Sequence, residues 1–253
     1  ALAMRGQDGN DRKMLELKGT THYVTDYLVG EVLDNLPPDT RNCLLKTSIL
    51  NRFSAPLCNV LLQTDKTSAT RGIDGEEFIN WLQSENIFVV SLDTENRWFR
   101  YHHLFQDLLQ SQLKRRLRFE EISTLHSLAS EWFEGRGLID EALEFGLAAG
   151  DVEQAAKLVE RHRQFALDHN QWFSLEKWLT LLPETVVQER TELLMARAWV
   201  YLFHFRFDAI FPLLDRVESL LDQDSAQKPL RGEIALMRGY VLYFLGDGAS
   251  SLK

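Results

Sequence analysis

Between Arg97 and Leu109 the sequence reads RWFRYHHLFQDLL, where residues alternating charge with aromatics lead directly into an amphipathic helical pattern. Such an extended segment needs a partner strand, because its backbone amides and carbonyls cannot pair within it. Ile87–Leu92 is β-branched and apolar, and Asp93-Thr94-Glu95-Asn96 between the two segments is turn-forming, which predicts a β-hairpin. His102 and His103 stand where the second strand becomes a helix. A helix N-terminus carries unpaired amide donors and partial positive charge, so it favours an anion such as phosphate, to which an imidazole in the first turn adds a donor. The plainer reading of two histidines at such a corner is capping or core packing.

Helical patterns precede the hairpin. Val24, Tyr27, Leu28, Val32 and Leu36 recur at helical spacing over Tyr23–Leu36, and Pro37-Pro38 ends that element while Pro38 opens the next. The periodicity predicts a helix over Asp39–Leu50 burying Cys43, Leu44, Ile49 and Leu50. A short one follows Ser54, with Leu57, Val60 and Leu61 on one face. Thr64–Gly75 is polar and aperiodic and reads as a loop, and Glu76–Gln83 reads as a fourth helix holding Phe78, Ile79 and Leu82 inward. Three or four helices followed by a hairpin make a winged helix, whose pre-wing helix usually enters the DNA major groove. Here that helix carries Glu76, Glu77 and Glu85 and no Arg or Lys, so it would present phosphates with the wrong charge. A net charge of −9 points the same way, and direct nucleic-acid contact is not expected. The one basic run, Lys114-Arg115-Arg116-Leu117-Arg118, closes a helix where the dipole favours positive charge.

Beyond Arg118 every segment reads as a short helix. Ala129, Ala142, Ala148, Ala155 and Ala156 suit close helix approach, and Gly135, Gly137 and Gly150 suit left-handed helix ends. Met195-Ala196-Arg197-Ala198-Trp199-Val200 is echoed by Leu236-Met237-Arg238-Gly239-Tyr240-Val241, an offset of 41 residues. That spacing is near the repeat length of tetratricopeptide-like (TPR-like) solenoids of stacked helix pairs. The fold class is therefore mostly α: a winged helix with a small β-hairpin, followed by a TPR-like α-solenoid. Trp132, Trp172, Trp178 and Trp199 read as core, with a ligand groove as the alternative. His162 and His169 lack acidic companions and make a poor metal pair, so no metal site is expected. Cys43 and Cys58 lie in apolar helical patterns without CxxC spacing, which fits a reducing cytoplasm, and no apolar run reaches the roughly 18 residues needed to span a bilayer. No Ser-His-carboxylate nucleophile motif occurs.

Four segments carry a resemblance: YVTDYLVGEVL from Tyr23, LLKTSIL from Leu44, WFRYHHLF from Trp98 and ALEFGLAAGD from Ala142. In this order they resemble the MalT-like, LuxR-family ATP-dependent transcriptional regulators of bacteria, a branch of the STAND signalling ATPases. The resemblance implies a slice of such a regulator. Residues 1–20 would be the tail of a nucleotide-binding module and linker, 21–118 the winged-helix domain, and 119–253 the start of a helical sensor truncated at its C-terminus. In the family, a histidine at the start of a winged-helix-domain helix contacts the β-phosphate of ADP. His102 occupies that place, beside His103, with Tyr101 where the family has methionine and His103 where it has aspartate. ATP or ADP is then the cofactor of the parent protein, with none bound by this segment alone, which lacks a GxxxxGK[ST] phosphate loop and is not expected to be an enzyme. The implied partners are the parent's own nucleotide-binding module, a LuxR-type DNA-binding domain, an inducer and other copies of the parent, in the cytoplasm and without a membrane. The alternative is a stand-alone TPR-like adaptor that binds a peptide on a concave helical face.

Overall fold

A computed structural model describes residues 33, 35–62, 73–85, 87–221 and 228–246. Most of the helix expected over Tyr23–Leu36 lies outside the described residues, as do the stretch 1–20, most of the Thr64–Gly75 loop and the segment after Gly246. The chain divides into two compact units, one up to Trp132 and one from Phe133 onward.

In the first unit, α1 is Pro38–Thr47, with Pro38 at the first helical position where its missing amide costs nothing. Helix α2 is Ala55–Leu62 and α3 is Gly75–Ser84. Their apolar faces, including Leu44, Leu57, Leu61, Phe78 and Leu82, are fully buried. Val60, expected on the same face, is only half-buried. Helix α3 starts one residue earlier than its hydrophobic pattern, at Gly75 directly after the N-cap Asp74, and the chain packs there too closely for any side chain. A Cβ on Gly75 would lie 2.2 Å from the Ala55 carbonyl oxygen, and the Gly75 amide donates to Asn59 Oδ1 at 2.6 Å.

The hairpin is present and shorter than its pattern. Strand β1 is Val89–Ser91, antiparallel to β2, Phe99–Tyr101, with Val89 opposite Tyr101 and Ser91 opposite Phe99. At one end Phe88 takes a left-handed backbone, φ 38°, which breaks the extended run. At the other end the Asp93 carboxylate accepts the amides of Arg97 and Trp98 at 2.8 and 3.1 Å, bending that segment into the turn. The unexpected partner is Phe53, which exchanges both backbone hydrogen bonds with Phe99 at 2.8 and 2.9 Å and makes a bridge on the far side of β2. Helix α4, His103–Arg116, follows β2 with one residue between, and α5 is Phe119–Glu134.

In the second unit, α6 (Ile139–Ala148), α7 (Val152–Asp168), α8 (Trp172–Leu181), the short α9 (Glu184–Gln188), α10 (Thr191–Phe203), α11 (Ile210–Leu221) and α12 (Lys228–Phe244) follow one another. Helix α6 packs on α7, α7 on α8, α8 on α10 and α10 on α11. Ala142, Ala155 and Ala156 are buried at these contacts as their size suggests, whereas Ala148 is exposed and spaces nothing. Gly137 and Gly150 take the left-handed conformation expected at helix ends, whereas Gly135, given the same expectation, does not. After α7 and α10 the same conformation falls to Asn170 and Phe205, both at φ 56°, which no glycine marks in the sequence.

The 41-residue echo has a shared physical basis. Arg197 forms two hydrogen bonds to Glu184 at 2.6 and 2.8 Å, and Arg238 reaches Asp215 and Glu218 at 2.7 and 2.9 Å, so each arginine ties its helix to a preceding one. Val200 and Val241 are both buried, and Val241 belongs to a core with Leu194, Leu214, Val217, Ile234 and Met237.

Two outcomes follow for stability. Gly75→Ala is expected to destabilise the chain by about 1–3 kcal/mol, read from urea unfolding, because a carbonyl oxygen must move to admit the methyl group. The hydrogen bonds from Arg197, and then from Gln188, hold the Glu184 carboxyl down at about 2. A folded pKa below the unfolded one gives stability that is present above about 4.5 and lost as pH falls towards 2. Arg197→Met is therefore expected to flatten the fall of melting temperature between those pH values, and an unaltered acid limb would show that the pair contributes nothing.

Candidate functional site

The strand-to-helix corner is built by bonds at the end of α1. Helix termini leave carbonyls without intrahelical partners. Gln106 Nε2 donates to the carbonyls of Ser48 and Leu50 at 3.0 and 2.9 Å, and Gln110 Nε2 donates to Ser48 at 2.9 Å, so one face of α4 closes the end of α1. Tyr101, the last residue of β2, is buried against Phe53 and Phe105, with its ring centroid 4.7 Å from that of Phe53. Its phenol meets the Thr47 hydroxyl at 2.7 Å, and Thr47 Oγ1 in turn donates to the Cys43 carbonyl at 2.7 Å, which leaves Tyr101 as donor to Thr47. Burial pushes the Tyr101 phenol well above its ordinary pKa, outweighing the opposing effect of its hydrogen bond with Thr47. It therefore stays protonated.

With Tyr101 and Gln106 fixed, the residues between them have little freedom. His102 is the N-cap of α4, its own amide donating to the Phe88 carbonyl at 2.7 Å and its carbonyl accepting from Gln106 at 3.0 Å. Its imidazole makes no capping bond and is exposed, as is that of His103. The rings lie 4.4 Å apart between centroids, tilted at 34°. The core reading of these histidines thus fails. Both imidazoles face outward beside a helix N-terminus, with exposed Phe88, Val90 and Leu104 nearby in the chain fold. At the opposite end of α4, Lys114, Arg115 and Arg116 are exposed in its last turn.

The pre-wing helix α3 exposes Glu76 and Glu77, with Glu85 exposed at its C-cap. The N-terminal pair complements the helix dipole, and the Glu77 carboxylate accepts the Asp74 amide at 3.5 Å.

A second candidate lies in the helical unit, where the tryptophans separate into two kinds. Trp178 is core, with its indole N–H donating to Asp140 at 2.5 Å, and Trp132 is buried in the first unit, edge-on to Trp98. Trp172 and Trp199 are only half-buried. They line a cavity of about 420 Å³ with Gln164, Asp168, Glu233 and Leu236. Core packing, expected for all four, holds for two. Behind the cavity the buried Arg163 makes a bidentate pair with Glu233 at 3.0 and 3.1 Å and bonds Glu192 through Nε at 2.5 Å. Trp199 Nε1 donates to Glu233 at 2.5 Å. Burial works against the charge on Arg163, but the carboxylates outweigh it and raise its pKa. The network was not read from the sequence, because Arg163, Glu192 and Glu233 lie far apart along the chain.

His162 bonds Glu134 at 3.2 Å, and His169 stacks on Phe165. Among the described residues no group of three or more His, Cys, Asp or Glu is placed to hold a metal ion, and no helix is long and apolar enough to cross a membrane.

Residues 29–121, which contain the hairpin and the histidine corner, match the MalT winged helix domain family. Over 227 residues, 89% of its length, the chain is 29% identical to the HTH-type transcriptional regulator MalT of Klebsiella pneumoniae (strain 342). The chain thus resembles MalT over most of its length. It is also 28% identical, over 233 residues and 91% of its length, to MalT of Yersinia enterocolitica. Over 249 residues, 96% of its length, it is 28% identical to the serine/threonine-protein kinase PknK of Mycobacterium tuberculosis (strain ATCC 25618 / H37Rv). This MalT-like chain spans about a quarter of the length of these relatives, 24%, 25% and 22% respectively.

In the helical part of the MalT-like chain, Glu233→Ala is expected to lower stability by about 3 kcal/mol, because Arg163 keeps only Glu192 as a counter-charge in a buried position. Thermal unfolding followed by circular dichroism tests this, and a melting temperature equal to that of the parent sequence would refute it.

Proposed function

We propose that this segment is the regulatory part of a MalT-like, ATP-dependent, inducer-responsive transcriptional activator, coupling the state of a bound nucleotide to a TPR-like helical sensor. The observation that carries the reading is the exposed imidazole of His102 at the N-terminus of α4, within a stretch that matches the MalT winged helix domain. In this reading the cofactor is ADP or ATP held by the parent's nucleotide-binding module. His102 donates to a phosphate oxygen, His103 stands beside it, and the first-turn amides of α4 add dipolar attraction. The exposed Phe88, Val90 and Leu104 give that module an apolar rim to rest on.

The output lies elsewhere in the parent. PknK is named as a kinase and MalT as a transcriptional regulator, yet both resemble the same segment over most of its length. A module shared between two such outputs is suited to controlling them. DNA binding through a LuxR-type domain, self-association and inducer recognition are accordingly assigned to the parent protein in the cytoplasm, and slow ATP hydrolysis to its nucleotide-binding module.

The coupling is a difference in affinity between two arrangements. A histidine that bonds ADP only in the closed one stabilises it, and an inducer that prefers the open one shifts the population back. His102→Ala in the full-length parent is expected to weaken ADP retention about tenfold and to raise transcription in the absence of inducer. Nucleotide content after purification and reporter transcription measure the two effects. Unchanged values of both would sink the assignment.

A further inference from the structure

We propose that the cavity between α7, α8, α10 and α12 is a binding site for an organic cation, a guanidinium or ammonium head on a short aliphatic stem. Its wall is aromatic and acidic. Trp172 has one face covered by Phe203, at 5.2 Å between centroids and 14° between planes, and the rest of the ring lines the cavity. Trp199 is held in place by its bond to Glu233. Fixed aromatic surfaces attract cations through the ring quadrupole, most strongly for tryptophan.

The charge balance selects the sign of the ligand. A single guanidinium, Arg163, faces two carboxylates, Glu192 and Glu233, so the network keeps an excess negative charge directly behind the wall. Asp168 adds a third carboxylate at the C-terminal end of α7, where the helix dipole is also negative, and it accepts a hydrogen bond from the neutral amide of Gln164 at 2.9 Å. Among the described residues lining the cavity there is no Lys or Arg. A neutral polyol would find Glu233 already bonded to Arg163 and Trp199, whereas a cation gains from the unbalanced charge without needing those lone pairs. At about 420 Å³ the space falls within the range of small-molecule sites and exceeds what a bare metal ion needs. The site is independent of the nucleotide reading, since no residue of the histidine corner contributes to it.

The test compares butylguanidinium with butylurea, which has nearly the same shape and no charge, and with the amidated peptide acetyl-Ala-Arg-Ala, each titrated calorimetrically into the 253-residue chain. Butylguanidinium is expected to bind at least about tenfold more tightly than butylurea, and more weakly as salt rises. Binding of the peptide as well would identify a basic protein segment as the source of the cation, and binding of butylguanidinium alone a free small-molecule cation. Asp168→Asn is expected to weaken the cation about fivefold with the melting temperature unchanged. Gly232→Leu is the second variant. A Cβ at Gly232 meets nothing within 4 Å, and leucine favours the helix over glycine, so the chain should fold while its side chain fills the cavity and abolishes binding. Equal binding of butylurea, absence of binding by either cation, or full binding by a folded Gly232→Leu chain would each overturn the proposal.

Discussion

The carbonyl groups at the end of α1 set the geometry of the first unit. Buried backbone acceptors must find donors, and Ser48 and Leu50 find them in the side chains of Gln106 and Gln110 on a helix more than fifty positions later. The Thr47–Tyr101 bond adds a further tie, made between two buried hydroxyls, and without it the Tyr101 phenol would be left unsatisfied. These bonds hold β2 and the first turns of α4 against the same point. Everything between Tyr101 and Gln106 is thereby oriented, and this stretch contains both histidines.

The sequence made the fold class legible because its signals were local. Alternation in Arg97–Tyr101 with a turn-forming run before it is enough for a hairpin, and Pro38, the apolar spacing in α1 to α3 and Gly137 and Gly150 each act within a few residues. What escaped was non-local or side-chain specific. The Phe53–Phe99 bridge joins residues 46 apart, and Phe53 has no strand pattern around it. Asn170 and Phe205 take helix-ending conformations because the following helix must turn back, a demand set by packing. At the candidate sites His102 and His103 could be named but not their exposure, which depends on Tyr101 and Phe105 taking the inward positions. Trp172 and Trp199 have the same helical spacing as core tryptophans, and only the placement of α12 leaves a cavity beside them.

The two units rely on different chemistry. Aromatic packing dominates the first, where Phe53, Phe99, Tyr101 and Phe105 stack around the hairpin. The second adds ion pairs that cross from helix to helix: Lys177 to Asp140 and Glu144, Arg190 to Glu160, Arg197 to Glu184, and Arg163 to Glu192 and Glu233. Most are exposed and individually worth little. Arg163 differs because it is buried, so its partners are needed to offset desolvation, and the three residues join α7, α10 and α12 in an arrangement that tolerates few alternatives. Specific registration of three helices is what such a network supplies, and it also leaves the excess charge that the neighbouring cavity presents.

The magnitude of a single histidine contact decides whether the proposed coupling is plausible as a switch. A charge-assisted hydrogen bond contributes about 1.5–3 kcal/mol, which shifts a two-state equilibrium by roughly ten- to a hundredfold. That bias is large enough to keep a resting arrangement dominant, and small enough for a ligand with a few kcal/mol of differential affinity to reverse it. A histidine on a mobile backbone would lose backbone as well as side-chain entropy on binding, which would reduce that contribution. Here the backbone at His102 is held by bonds to Phe88 and Gln106, while the ring itself makes no capping bond that a phosphate would have to displace. A fixed backbone carrying an uncommitted side chain is the combination that lets one hydrogen bond act at nearly its full strength.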